Sequence, residues 1–233
     1  MPEPTTQELI DSMVGPSTSR LGELAATMSG TGAETVALFR DISSAVSQLP
    51  GLGMSAAEKI RTTRADTSLP QDHRLKLVNE TRDGTRAVLE KLHAGAQSNA
   101  VKLESLLEDG LFPRPHRDVG QRGLTQSGIQ ARYRRFEGEK LVNEVIRNVG
   151  GNPSHDAELL SDFGRDFLQG AGATDAHLTA IRARAVESYL ARKDGTERQI
   201  ASRRALVAFR KANVPGAVTA HFQVARLHMG EDK

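Results

Sequence analysis

The chain contains no cysteine and no tryptophan, and aromatic residues make up only 4% of its 233 residues. The lack of cysteine excludes a disulfide scaffold, a thiol nucleophile and a thiolate metal site. No apolar run approaches the roughly 18 residues that a transmembrane helix needs. The first fifteen residues carry three acidic residues and no basic one, which is opposite in sign to a secretory signal. The expected location is therefore the cytoplasm, or a virion assembled in a host cytoplasm, with no membrane partner.

Helical patterns cover most of the chain, and no segment shows the strict alternation of a β-strand. Apolar residues recur at spacings of three and four, and Thr196 and Gln199 have the spacing of a helix-capping box. Glycine and proline together predict helix ends at residues 15–16 and 49–53. The sequence therefore predicts an all-α, multi-helix protein.

One long helix is predicted over about residues 71–108, because the three-and-four spacing continues without a slip for about five heptads. Such a helix is roughly 57 Å long at about 1.5 Å per residue. Polar residues Arg82, Thr85 and Asn99 interrupt its apolar stripe. Three arrangements fit this pattern: a core-facing helix of a bundle, an oligomerising coiled coil, and a helical hairpin broken at a glycine. The candidate oligomer seam consists of Leu75, Val78, Leu89, Leu92, Leu103 and Leu106.

Residues 111–128 contain two prolines and three glycines and are predicted to be an irregular basic arm or linker. This divides the chain into an N-terminal helical segment (1–110), the arm (111–128) and a compact C-terminal helical domain (129–233). The first helix of that domain is expected to run from about 129 to 149. Charge is also uneven, because the first 110 residues carry 11 Lys/Arg and 15 Asp/Glu, whereas the remainder carry 20 and 14. This asymmetry favours different partners for the two halves, or head-to-tail contact between copies.

Arginines are concentrated in the arm and in the turns that follow it. Guanidinium groups make bidentate contacts with phosphates and carboxylates, so this cluster is a candidate binding site for nucleic acid or for an acidic protein surface. Its members are Arg114, Arg117, Arg122, Arg132, Arg134 and Arg135.

No group of residues has the spacing of a catalytic or metal site. The seven histidines form no HExxH motif, and none is spaced with carboxylates as metal ligands are. Four carboxylates are expected along one helix as a solvated face rather than as an acid–base pair. They are Asp156, Glu158, Asp162 and Asp166. The sequence predicts no catalytic residue, no metal and no cofactor, and hence a protein that is not an enzyme.

Together these features favour a structural or interaction subunit of a larger homo- or hetero-oligomer, in contact with other protein subunits. In general character the sequence resembles helical virion proteins of tailed phages, such as connector or adaptor subunits between portal and tail. The resemblance rests on the long helix, the basic arm and the scarcity of aromatic residues, and it carries over no motif and no residue role. The alternative function is a helical protein that binds DNA or RNA through the arginine-rich arm and the C-terminal helices.

Overall fold

The structure, a computed structural model, describes residues 6–230. Within that range it contains ten α-helices and no β-strand, so the all-α prediction is confirmed. The helices are α1 (Thr6–Thr27), α2 (Ala33–Ala65), α3 (Gln71–Leu111), α4 (Val119–Tyr133), α5 (Gly138–Asn148), α6 (Pro153–Leu159), α7 (Asp162–Gly170), α8 (Asp175–Ala191), α9 (Glu197–Ala212) and α10 (Val214–Met229).

The chain forms two compact units. Unit 1 comprises residues up to 106 and from 204 onward, and unit 2 comprises residues 107–203. This division differs from the expected boundaries at 110 and 128, because the C-terminal stretch belongs to the same unit as the first half of the chain. The charge asymmetry along the sequence disappears in this grouping. Unit 1 carries 16 Lys/Arg and 15 Asp/Glu, and unit 2 carries 15 and 14.

In unit 1, α10 packs along α2 and α1, and its contact with α2 explains a wrong prediction. The predicted break at 49–53 does not occur, because α2 continues through Pro50. Leu49 is fully buried, and Gly53 lies so close to Ala225 of α10 that a Cβ there would overlap the backbone. Packing against α10 therefore stabilises α2 at Pro50, which has no N–H to donate a helical hydrogen bond. The predicted end at 15–16 is also wrong, since α1 continues through Pro16.

The long helix predicted over 71–108 is confirmed as the single helix α3, which rules out the broken hairpin. Its apolar stripe faces the core, since Val78, Leu89 and Leu103 are buried within the chain. Leu92 and Leu106 are half-buried, and Leu75 is exposed. The proposed oligomer seam is therefore corrected to a core-facing stripe, because buried side chains are not accessible to another copy.

Unit 2 packs α4 to α8 around its own apolar core, which includes Ile129, Leu141 and Val145. The predicted helix over 129–149 is divided into α4 and α5 by a turn at 134–137. Gly138 opens α5 with a φ of 53°, a conformation that favours glycine, and its N–H donates to the carbonyl of Ala171 at 2.9 Å.

The irregular arm is shorter than predicted, because only residues 112–118 lack helical structure. Asp118 ends the irregular segment as the N-cap of α4, and its carboxylate accepts a hydrogen bond from the N–H of Gln121 at 2.8 Å. This cap stabilises the start of α4, whose glycines lower its helix propensity. The capping box predicted at Thr196 is confirmed, since its N–H donates to the Gln199 side chain and the Gln199 N–H donates back to its hydroxyl.

Candidate functional site

The structure separates the six candidate arginines into two groups. Arg122 donates to the carboxylate of Glu158 at 3.0 Å, and Glu158 is only 1% exposed. Arg132 donates to the side chain of Asn148 and lies over the ring of Tyr133. Both guanidinium groups therefore make contacts within unit 2, and Arg132 is at the same time exposed.

The other four arginines of the cluster are exposed: Arg114, Arg117, Arg134 and Arg135. Arg135 lies over the ring of Phe136, with 5.0 Å from its guanidinium carbon to the ring centroid. Burial and the charge of Arg114 lower the pKa of Arg198, and the charge of Asp109 opposes this shift.

Between these arginines, the outward side of α4 carries no charged residue, and we call it the α4 face. Val119 is 83% exposed and Leu124 is 72% exposed, more than any other large hydrophobic side chain that the structure describes. A Cβ added at Gly123 or Gly128 would meet no atom within 4 Å. The packing of this chain therefore gives no reason for glycine at either position. The α4 face consists of Val119, Gly120, Gly123, Leu124, Ser127, Gly128, Gln130 and Ala131.

Two carboxylates that the sequence placed on a solvated face are instead buried in α6. Asp156 is 1% exposed and accepts hydrogen bonds from the Tyr189 hydroxyl at 2.8 Å and the Gly150 N–H at 3.0 Å. Burial raises the pKa of the Asp156 carboxyl, and these two hydrogen bonds oppose the rise. Burial and the bond to Asp156 raise the pKa of Tyr189. Arg192 lies 4.5 Å from the Tyr189 ring centroid and donates to the Gly150 carbonyl.

The second buried carboxylate, Glu158, accepts two hydrogen bonds from the protein, as Asp156 does. Its two oxygens accept from Arg122 at 3.0 Å and from the amide of Gln126 at 2.8 Å. The remaining pair behaves as predicted, because Asp162 and Asp166 are exposed and both meet Arg165. We call the contacts of Asp156 and Glu158 the α6 network. It links α4, α6 and α8, and each of its carboxylates has donors from the protein itself.

Within residues 6–230, no three His, Asp or Glu side chains are grouped as metal ligands would be. None of the helices in that range is long and apolar enough to cross a membrane. Comparisons with protein-family models, with curated proteins and with solved structures found no match to this chain.

Proposed function

We propose that this chain is a non-enzymatic structural subunit that assembles with copies of itself through the α4 face. The observation that carries the proposal is an exposed helix face without a single charged residue, containing two highly exposed aliphatic side chains. Soluble surfaces usually disperse charge over exposed helix faces, and contiguous apolar or uncharged patches are typical of contact sites.

The glycines of α4 leave room for such a contact, as other exposed helical glycines of the chain do. Each glycine inside a helix destabilises it by about 1 kcal/mol relative to alanine. Gly123 and Gly128 receive no compensating contact within the chain, since space for a Cβ is open at both. A neighbouring helix that approaches closely would use that space, because small residues let two helix backbones come together.

The charges beside the α4 face indicate the symmetry of the assembly. Arg117 precedes the face, and Arg134 and Arg135 follow it, all three exposed. A two-fold contact of the face with itself brings like charges together, which disfavours an isologous dimer. A head-to-tail contact of the α4 face with a different surface of the next copy avoids that repulsion and generates a ring or filament. The finer form of this proposal is a virion connector- or adaptor-like subunit.

The assembly is tested by light scattering coupled to size exclusion, over a range of concentrations, on wild type, Gly123→Arg and Gly95→Arg. Gly95 is the matched control, because it is an exposed helical glycine of α3 where an added Cβ would also meet no atom within 4 Å. We expect a discrete multimer for wild type and Gly95→Arg, and a monomer for Gly123→Arg. A monomeric wild type, or a Gly123→Arg variant that keeps the multimer, contradicts the proposal.

A second candidate function is binding of DNA or RNA, and the exposed Arg114, Arg117, Arg134 and Arg135 favour it. Guanidinium groups make charge-assisted hydrogen bonds with phosphates. We expect Arg114→Gln to weaken binding of a duplex measured by fluorescence anisotropy, and Arg40→Gln, an exposed arginine of α2, to leave it unchanged. The logarithm of affinity falls by about 0.9 per neutralised phosphate for each tenfold rise in salt. Binding that is absent or insensitive to salt excludes this function.

A further inference from the structure

A cavity of about 510 Å³ opens in unit 1 among the last turns of α2, the side of α3 and the end of α10. Its charged lining is entirely basic: Arg61 and Arg64 come from α2, and Arg82 comes from α3. His228 adds a fourth nitrogen-bearing side chain, and apolar residues, Ile60 and Met229 among them, complete the wall. No acidic residue lines this space within the part of the chain that the structure describes.

The three guanidinium groups have few partners within the chain. The Nε atom of Arg82 is buried and has no hydrogen-bond partner among the described residues. Arg61 approaches Glu58 at 3.6 Å, but the two side chains are 78% and 69% exposed, which makes this a weak surface pair. Arg64 forms no salt bridge with any residue between positions 6 and 230. Among the described residues, the three arginines of the lining therefore have one carboxylate partner, the exposed Glu58, which lies outside the lining.

Neighbouring groups do not neutralise the cavity. The side chain of Arg74 donates to the backbone carbonyl of Arg64 at 3.1 Å, and the charge of Asp66 acts on Arg74. The C-terminal ends of α2 and α10 contribute the partial negative charge of a helix dipole, about half a unit each. Among the described residues, the three full positive charges of the lining outweigh these two partial charges.

A buried donor without a partner costs free energy, and like charges at one site add to that cost. An oxyanion in the cavity accepts from the guanidinium N–H groups that line it and offsets the repulsion between the three positive charges. The cavity is larger than one phosphate group requires, and three arginines match more than one negative charge. Its apolar wall provides contact for an organic portion of the same ligand.

We propose that this cavity binds a small phosphorylated molecule that carries at least two negative charges, with Arg61, Arg64 and Arg82 as the anion ligands. The site lies in unit 1 and uses no residue of the α4 face. Its loss therefore leaves the assembly of the subunit unchanged, and the failure of either proposal is distinguishable from the failure of the other.

The probe is pyrophosphate, added to the full chain and followed by thermal unfolding and by titration calorimetry. Wild type is expected to gain thermal stability with pyrophosphate, to respond less to phosphate and not at all to spermidine. Arg82→Met and Arg64→Gln are expected to weaken binding at least tenfold. Arg40→Gln, an exposed arginine elsewhere on α2, is expected to bind as wild type does.

The variant without ligand separates a binding role from a structural one. If Arg82 serves binding, Arg82→Met without ligand unfolds at the same or a higher temperature than wild type, because an unpaired buried donor has been removed. A lower unfolding temperature combined with an intact pyrophosphate response overturns the proposal. So does wild-type binding that is absent, or that is equally strong in Arg64→Gln and Arg82→Met.

Two acidic residues, Glu231 and Asp232, follow Gly230 of the cavity wall in the sequence and lie outside the described residues. The double variant Glu231→Gln/Asp232→Asn tests their effect. Pyrophosphate binding that is unchanged or tighter in this variant supports the proposed ligands, because the arginines then act alone. Loss of binding in this variant contradicts the assignment.

Discussion

The α6 network of unit 2 and the arginine cavity of unit 1 differ in how their charged groups are partnered. In the network, Asp156 and Glu158 are almost fully buried, and each accepts two hydrogen bonds from the protein. In the cavity, the half-buried Arg82 has a buried Nε without an acceptor among the described residues, and it lies beside two exposed arginines. The first arrangement has its partners within the chain, whereas we propose that the second receives a negative charge from a ligand.

This difference separates structural charge from functional charge. Burying a charge is tolerated when the fold supplies its hydrogen bonds, and such a group stabilises only its own surroundings. A group that the fold leaves without partners destabilises the free protein and gains most when a ligand arrives. The number of partners inside the chain therefore predicts the role of a buried charge better than its burial does.

The largest expected effect is on the network. Asp156→Ala leaves the Tyr189 hydroxyl and the Gly150 N–H without an acceptor, and we expect it to lower the free energy of unfolding of unit 2 by about 3 kcal/mol. Asp156→Asn keeps an oxygen acceptor and is expected to cost less. The chain has two tyrosines, Tyr133 and Tyr189, and no tryptophan, so tyrosine fluorescence during urea unfolding reports on unit 2. Equal losses for the two variants mean that the hydrogen bonds are not what Asp156 contributes.

A smaller effect is expected from a buried histidine of unit 1. His221 is 3% exposed, and burial lowers its pKa, although its hydrogen bond to the Ala217 carbonyl opposes the shift. The unfolded state therefore binds a proton more readily, and unit 1 loses stability as the pH falls below about 6.5, the usual value for histidine.

Hydrogen exchange of the α10 amides at several pH values measures this loss, and His221→Asn is expected to flatten the profile. Burial lowers the pKa of His93 as well, so His93 is expected to contribute a loss of stability at low pH in the same direction. A pH profile that is identical in wild type and His221→Asn shows that His221 does not carry the effect. This measurement also extends the comparison between the units, because His221 is a buried group of unit 1 that does have a hydrogen-bond partner, the Ala217 carbonyl.

The sequence predicted what depends on local pattern. The extent of α3 follows from apolar spacing, and the cap at Thr196 follows from side chains three residues apart. The prediction of a helix end at residues 49–53 was wrong because the contact between Gly53 and Ala225 joins segments that are distant in the sequence. No local signal at Pro50 indicates that α10 will support the helix there.

The same limit applies to the candidate sites. Arg122 is paired with Glu158, which lies thirty-six residues away in the sequence. The density of arginines in the arm therefore did not indicate which of them form contacts within the chain. The cavity had one signal in the sequence, since Arg82 interrupts the apolar stripe of α3 on its inner side. Residue spacing in the sequence does not predict that Arg61 and Arg64 line the same cavity as Arg82. The packing of α2 against α3 and α10 brings these residues together.

The most direct test of the central claim compares three proteins in one experiment: wild type, Arg82→Met and Asp156→Asn, each unfolded thermally with and without pyrophosphate. The account predicts that pyrophosphate stabilises wild type and Asp156→Asn alike, and that Arg82→Met loses this response while remaining at least as stable as wild type without ligand. A pyrophosphate response that survives in Arg82→Met, or that is lost in Asp156→Asn, would contradict it.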